Sequence, residues 1–227
     1  IRIPKSCKVQ SSEFIFEKAP FAQCHASTIL ELKDGRLMVA WFGGAYEGSS
    51  DVGIWTSVGK DGKWEEPKEI VTGKSPGAQI FPCWNPVLFR TSDGKIMLYY
   101  KVGPNPREWW GLEMQSTDEG NSWSVPKELP NGILGPIKNK PIRLASGVIL
   151  SPSSVETTTE EWHSHIERSV NDGKTWEKIA IDPKNSVKVI QPTLLQYRGG
   201  KIQALLRSNQ NYIMESWSSD EGKTWSP

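Results

Sequence analysis

An octapeptide recurs along this chain at a regular interval. Ser116–Trp123 reads STDEGNSW, Ser169–Trp176 reads SVNDGKTW and Ser218–Trp225 reads SSDEGKTW. A degenerate copy, SVGKDGKW, occupies Ser57–Trp64. The closing tryptophans Trp64, Trp123, Trp176 and Trp225 are spaced by 59, 53 and 49 residues. A period near fifty residues is the mark of one supersecondary unit used repeatedly.

Each unit has the same internal order: an apolar segment, a glycine turn, a second apolar segment, and a third leading into the octapeptide. The first unit carries STILEL, KDGR, LMVAWFGG and DVGIWTS, and the fourth TLLQY, RGGK, IQALLRS and YIMESWS. The segments are short, alternate in polarity and are joined by Asp-Gly or Gly-Gly, which is a hairpin signal. No stretch holds an apolar period of 3.6 residues. The reading is all-β, and four-stranded antiparallel units at this period predict a β-propeller. One sheet alone leaves apolar faces uncovered, and stacking on its neighbours covers them. We expect one propeller domain over residues 1–227, incomplete at its C-terminus, with four blades in this sequence. The segment Ser12–Lys18, SEFIFEK, is a candidate ring-closing strand.

The octapeptide itself reads as scaffold. Its Asp or Asn can bond backbone N–H groups of its own turn, its glycine permits positive φ, and its tryptophan suits packing between blades. A calcium loop needs alternating oxygen ligands and a distal Glu, and eight residues are too few. The pattern Ser-x-Asp-x-Gly-x-x-Trp resembles the Asp-box, or bacterial neuraminidase repeat, of the sialidase superfamily. The stretch from His25 to Trp55, HASTILELKDGRLMVAWFGGAYEGSSDVGIW, is similar to the first blade of neuraminidase-like proteins of that group. The resemblance covers roughly residues 25 to 227. It implies a six-bladed fold when complete, exo-glycosidase chemistry on a terminal acidic sugar, and a catalytic face away from the Asp-boxes. It also implies that Asp51 is the general acid/base. His25 stands where sialidases carry the first arginine of a carboxylate-binding triad. Arg2-Ile3-Pro4 mimics that motif without the strands that should follow it.

Candidate site residues lie where inner strands begin and in the loops beside them. Asp51 and Glu47 are the carboxylates, since a pair flanking a glycosidic bond divides acid and base work. His25, Asn85, Lys101, Arg107, Lys140, Gln191 and Arg207 are the candidate substrate contacts. Trp84, Trp109 and Trp110 suit either sugar stacking or packing. His163 and His165 share one strand face, but no third ligand accompanies them and no metal or cofactor is expected. Glu167 and Arg168 read as strand-surface charges. Two other functions remain open: a polysaccharide lyase using His25 or His165 on a uronate, and a glycan-binding propeller without catalysis.

The resemblance implies a glycan partner, and composition points to no other. The 227 residues carry a net charge of +1, which argues against nucleic acid or an anionic membrane. No apolar run approaches the ~20 residues of a membrane span. Cys7, Cys24 and Cys83 leave at least one thiol unpaired, with Cys7–Cys24 the candidate disulfide. No CxxC zinc pattern occurs. The chain begins without Met and without an apolar leader. A leader already removed, and hence a secreted or periplasmic setting, is the expectation.

Overall fold

The computed structural model describes residues 8–74, 79–157 and 161–227. Every regular element among them is a β-strand, and none is a helix able to cross a membrane. Blade 1 contains β1 (Gln23–Glu31), β2 (Leu37–Gly44), β3 (Gly53–Lys60), β4 (Lys63–Trp64) and β5 (Lys68–Val71), with β4 and β5 both on the outer side of β3. Blade 2 is β6 (Cys83–Arg90), β7 (Ile96–Val102), β8 (Trp110–Ser116) and β9 (Lys127–Glu128) in that order. Blade 3 is β10 (Ile142–Arg143), β11 (Ile149–Glu156), β12 (Trp162–Ser169) and β13 (Glu177–Ala180). Blade 4 contributes β14 (Val189–Gln196), β15 (Ile202–Ser208) and β16 (Ile213–Ser218). Strand pairing is antiparallel in all four. The molecule has the blade architecture of a β-propeller.

The three complete octapeptides form one hydrogen-bonded device. In blade 2 the Ser116 hydroxyl donates to Asp118 at 2.8 Å and accepts the Gly120 N–H at 2.8 Å. Asp118 accepts the Ser122 N–H at 2.9 Å. Ser218, Asp220, Gly222 and Thr224 repeat this in blade 4, and Ser169, Asn171, Gly173 and Thr175 in blade 3. The serine or threonine hydroxyl and backbone N–H groups hold the carboxyls of Asp118 and Asp220 down to about 2. Both stay ionised until pH falls through that value, while Asn171 has no proton to take up. An NMR titration therefore shows two box carboxylates protonating near pH 2; ordinary midpoints close to 4 would break this assignment.

The degenerate copy is a different turn. Lys60 pairs with Lys63 across Asp61-Gly62, whose φ values are 51° and 76°, giving the two-residue hairpin that such a dipeptide favours. Ser57 bonds the Glu65 carbonyl instead. Ser12–Lys18 is not a strand. Phe16 packs against Phe21 and Trp41, and Glu13 accepts the Trp64 indole N–H, so this segment covers blade 1 as irregular chain.

The apolar core comes in two pieces. Met38, Phe42, Ile54, Leu88, Leu98 and Tyr100 centre the core of blades 1 and 2, with Trp123 packed against it. Leu150, Ile166, Ile202 and Leu206 centre the core of blades 3 and 4, with Trp225 packed against it. The middle seam is held by buried charge. Lys101 and Glu167 are both 0% exposed and His165 is 3% exposed. Glu167 accepts the Leu134 and Gly135 N–H groups at 2.7 and 2.8 Å, and His165 Nε2 lies 3.4 Å from it. Lys101 donates to the Pro136 carbonyl at 2.9 Å. The connector between blades 2 and 3 is thus gripped from both sides. Glu167 and Arg168, read from sequence as surface charges, are buried, and Arg168 donates to the Glu221 carbonyl of blade 4.

The boxes of blades 2 and 4 press on the preceding blade. A Cβ added to Gly120 would lie 1.9 Å from Met38 Cε, and one added to Gly222 2.9 Å from Leu150. Nothing from blade 2 comes within 4 Å of the same point on Gly173, where only its own Trp176 is close. All three glycines have positive φ, so alanine at any of them costs about 1–2 kcal/mol. Gly222→Ala should lose distinctly more than Gly173→Ala in a denaturant melt. Equal losses would show that the blade 3 box is seated as tightly as the others.

Candidate active site

One backbone irregularity marks the inner strands. In β1, β6 and β14 the pairing register slips between His25 and Thr28, Trp84 and Val87, and Ile190 and Thr193. Each slip inserts one extra residue, a β-bulge, and bulges re-aim side chains beside functional sites. The bulge residues Ala26, Asn85 and Gln191 have φ of 50°, 42° and 53°, and Lys138, ahead of β10, has 64°. Pro86 and Pro192 follow directly, where the disrupted ladder tolerates a missing N–H. These bulges lie at the end of the blades remote from the Asp-boxes, beside the loops that leave β2, β7 and β15.

At that end the loop from Ala45 to Val52 carries both predicted carboxylates. Asp51 is exposed and accepts the Ala45 N–H with both oxygens, at 3.3 and 3.1 Å, so it ties the loop base together. Its charge reaches Glu69 of β5, whose pKa is raised by burial and then by Asp51. Glu47 is exposed on the same loop and shares a narrow crevice with Cys24, His25, Phe42 and Tyr46. His25 stacks on Phe42 at 5.7 Å. Gly48 of the loop lies over Trp84.

A second group gathers beside blades 3 and 4. Glu156 is half-buried, and burial raises its carboxyl while the charges of Arg207 and Arg107 lower it. Arg207 is exposed and lies over the Trp162 ring, 5.4 Å from its centroid, a cation–π distance. Arg107 comes from the exposed loop after β7, where its N–H is fixed by Asn105 Oδ1 at 2.9 Å. Arg107 and Arg207, 100 residues apart in the sequence, therefore act on one carboxylate.

The remaining predicted contacts divide. Asn85 and Gln191 occupy matching bulges, Asn85 buried and Gln191 partly so. The Gln191 N–H donates to Ser154 and its carbonyl accepts from Asn139. Lys140 donates to Thr28 at 3.2 Å and to the Leu88 carbonyl at 2.8 Å, linking blade 3 to β1 and β6. Burial pushes its pKa down to about 8. Lys101 is not the substrate contact expected from its place in the sequence. With no exposed surface and its ammonium on Pro136, it is a structural group that a ligand does not touch. His165, buried against Glu167, is likewise out of reach as a base.

Trp84 and Trp109 pack edge to face at 6.0 Å, and Trp110 meets Phe81 at 5.5 Å, so their rings serve packing. Sequence reasoning missed Glu69 and Trp162 and left Glu156 without a role. Glu69 lies in the unremarkable run KEIV, and only the pairing of β5 with β3 brings it to this end. No group of three metal-ligating side chains converges among the described residues. Cys24 and Cys83 are free thiols. Cys7 and the Arg2-Ile3-Pro4 motif lie outside the described residues.

Known proteins share this architecture. A protein of unknown function from Dyadobacter fermentans superposes with a TM-score of 0.74 at 18% identity, covering 89% of this chain and 67% of that one. The NanB sialidase of Streptococcus pneumoniae gives 0.73 at 14% identity, covering 94% and 53%. The Trypanosoma rangeli sialidase, solved with the inhibitor DANA, gives 0.65 at 17%, covering 92% and 38%. The chain thus spans about half or less of the length of these two sialidases, and at such identities the likeness is one of fold. Among curated proteins none matches. The BNR repeat-like domain matches residues 35–227. With the boxes, the blades and that match in agreement, the chain belongs to the BNR repeat-like family.

Proposed function

We propose that the protein hydrolyses a terminal acidic sugar from a glycan at the loop end of its blades. The observation that carries this reading is Arg207 lying over the Trp162 ring, with Glu156 feeling the charges of both Arg207 and Arg107. Two guanidiniums suit a sugar carboxylate, which they can bind through paired N–H donors, and an aromatic face suits the ring. Asp51, with Glu69 and Glu47 near the same loop, supplies the acid/base chemistry. One carboxyl in its acid form protonates the leaving glycosidic oxygen while a second acts on the opposite face of the sugar. His25, Asn85 and Gln191 are the hydroxyl contacts between these two groups.

The test is turnover of glycans ending in an acidic sugar, with the released product identified. The reading expects a saturated free sugar. Loss of the arginine pair, Arg107→Met with Arg207→Met, should raise KM for the acidic sugar while the protein stays folded. An unsaturated, ultraviolet-absorbing uronate would make the protein a lyase, with His25 as the base at this end. Tight binding without any product would make it a glycan-binding propeller.

A further inference from the structure

The seam between blades 2 and 3 is looser at the Asp-box end than the other two: Ser92 of blade 2 donates to Asp172 of the blade 3 box at 3.0 Å, but no blade 2 side chain presses on the box glycine. Where Gly120 and Gly222 are pressed by Met38 and Leu150 of the preceding blade, Gly173 meets no residue of blade 2. Trp176 is half-buried, as Trp123 and Trp225 are, but unlike them it belongs to neither core cluster. The space left is a cleft of about 330 Å³, at the lower end of the ~300–1,000 Å³ of small-molecule sites.

Its floor is the face of blade 2. Met97 pairs with Gln115, and Tyr99 pairs with Glu113, which in turn pairs with Lys127. Trp176 stands on the opposite wall. Among the described residues, no protein donor lies within hydrogen-bond distance of the Glu113 carboxylate. Lys127 is 3.8 Å away. Burial raises the pKa of both Glu113 and Tyr99, and the Tyr99 hydroxyl bonds no described residue. Partly buried polar atoms left open in this way are where ligand hydroxyls gain most.

The surrounding charges are matched: Lys127 faces Glu113, Lys95 pairs with Asp93 at 2.8 Å, and Arg143 pairs with Asp172. Lys174 at the rim is the exception. A site of matched charge has no strong preference for an ion. It offers an aromatic wall, a carboxylate acceptor, a phenol and an ammonium, all of which serve an uncharged polyol. We infer that the cleft between blades 2 and 3 is a second, non-catalytic glycan site that takes a neutral pyranose. The ring's C–H face lies on Trp176 and its hydroxyls meet Glu113, Tyr99 and Lys127. The cleft lies at the opposite end of the blades from Asp51, so one glycan chain can be held there while another end is processed.

The test is calorimetric and saturation-transfer titration of the protein with uncharged trisaccharides of gluco, manno and galacto configuration. At least one should bind saturably. Trp176→Ala and Glu113→Ala should each weaken it by about tenfold, equivalent to about 1.4 kcal/mol, and Trp162→Ala at the other end should change nothing. Glu113→Ala truncates a side chain on a strand held from both sides by β7 and β9 and keeps the test valid should Trp176→Ala not fold. Absence of binding by the whole panel, binding insensitive to both substitutions, or binding lost in Trp162→Ala would each overturn the inference.

Discussion

Glu167→Ala should lower the unfolding free energy by about 3–5 kcal/mol, the usual loss when one partner of a buried charged network is removed. The side chain has no exposed surface and is the acceptor for two backbone N–H groups of the connector. Its removal leaves those donors without partners, each costing about 1–3 kcal/mol, and takes away the counter-charge near Lys101 and His165. Glu167→Gln keeps one acceptor oxygen and should fall between wild type and alanine. An unchanged denaturant midpoint would mean that the connector is held by other contacts.

The same cluster sets a pH dependence. Burial pushes the Lys101 pKa down to about 7, against the opposing pull of Glu167, whereas a lysine in the unfolded chain titrates near 10.4. Between those values the unfolded chain holds a proton that the folded chain does not, so stability rises with pH. That contribution is complete above the unfolded value and is lost as pH falls through about 7. Lys140, pushed down to about 8 by burial, adds in the same direction. Tyr99 and Tyr100 oppose it at higher pH, because burial raises both and their contribution fades above the unfolded value near 10. The window to measure is therefore about pH 7 to 9. Wild type should grow more stable across it, and Lys101→Met should flatten the slope. Equal slopes would remove Lys101 as the origin.

The fold was legible because its signals are local. Ser116, Asp118, Gly120 and Ser122 bond one another within seven residues, so the pattern identifies the turn wherever it occurs. The limit of that reading is SVGKDGKW. It has the glycine and the tryptophan, but Ser57 stands four residues before Asp61 where the complete boxes have two, and the chain makes a tight hairpin instead. Charged residues were legible only where their partners are close in sequence. Glu167 follows an alternating strand and looks exposed until the Leu134-Gly135 segment, 33 and 32 residues away, closes over it. Lys101 borders a Gly- and Pro-rich loop, the place for a ligand contact, and is claimed by Pro136. Glu69 and Glu156 acquire their neighbours Asp51, Arg107 and Arg207 through strand pairing and blade order, which no local pattern encodes. The interval between the boxes was visible, but not the unequal seating of Trp176 among them.

Asp51→Asn tests the proposed chemistry apart from the scaffold. The asparagine carbonyl can still accept the Ala45 N–H that Asp51 now holds, so the loop and the melting temperature should be unchanged. The substitution removes the titrating proton, and loss of a general acid/base lowers turnover by about 10²–10⁴-fold. Asp51→Ala should lose both activity and loop order. The most direct measurement is product identification with a glycan ending in an acidic sugar, for wild type and Asp51→Asn side by side. Wild type should release a saturated free acidic sugar, and Asp51→Asn should release almost none while remaining folded. Full turnover by Asp51→Asn, or an unsaturated uronate from wild type, would contradict hydrolysis by Asp51.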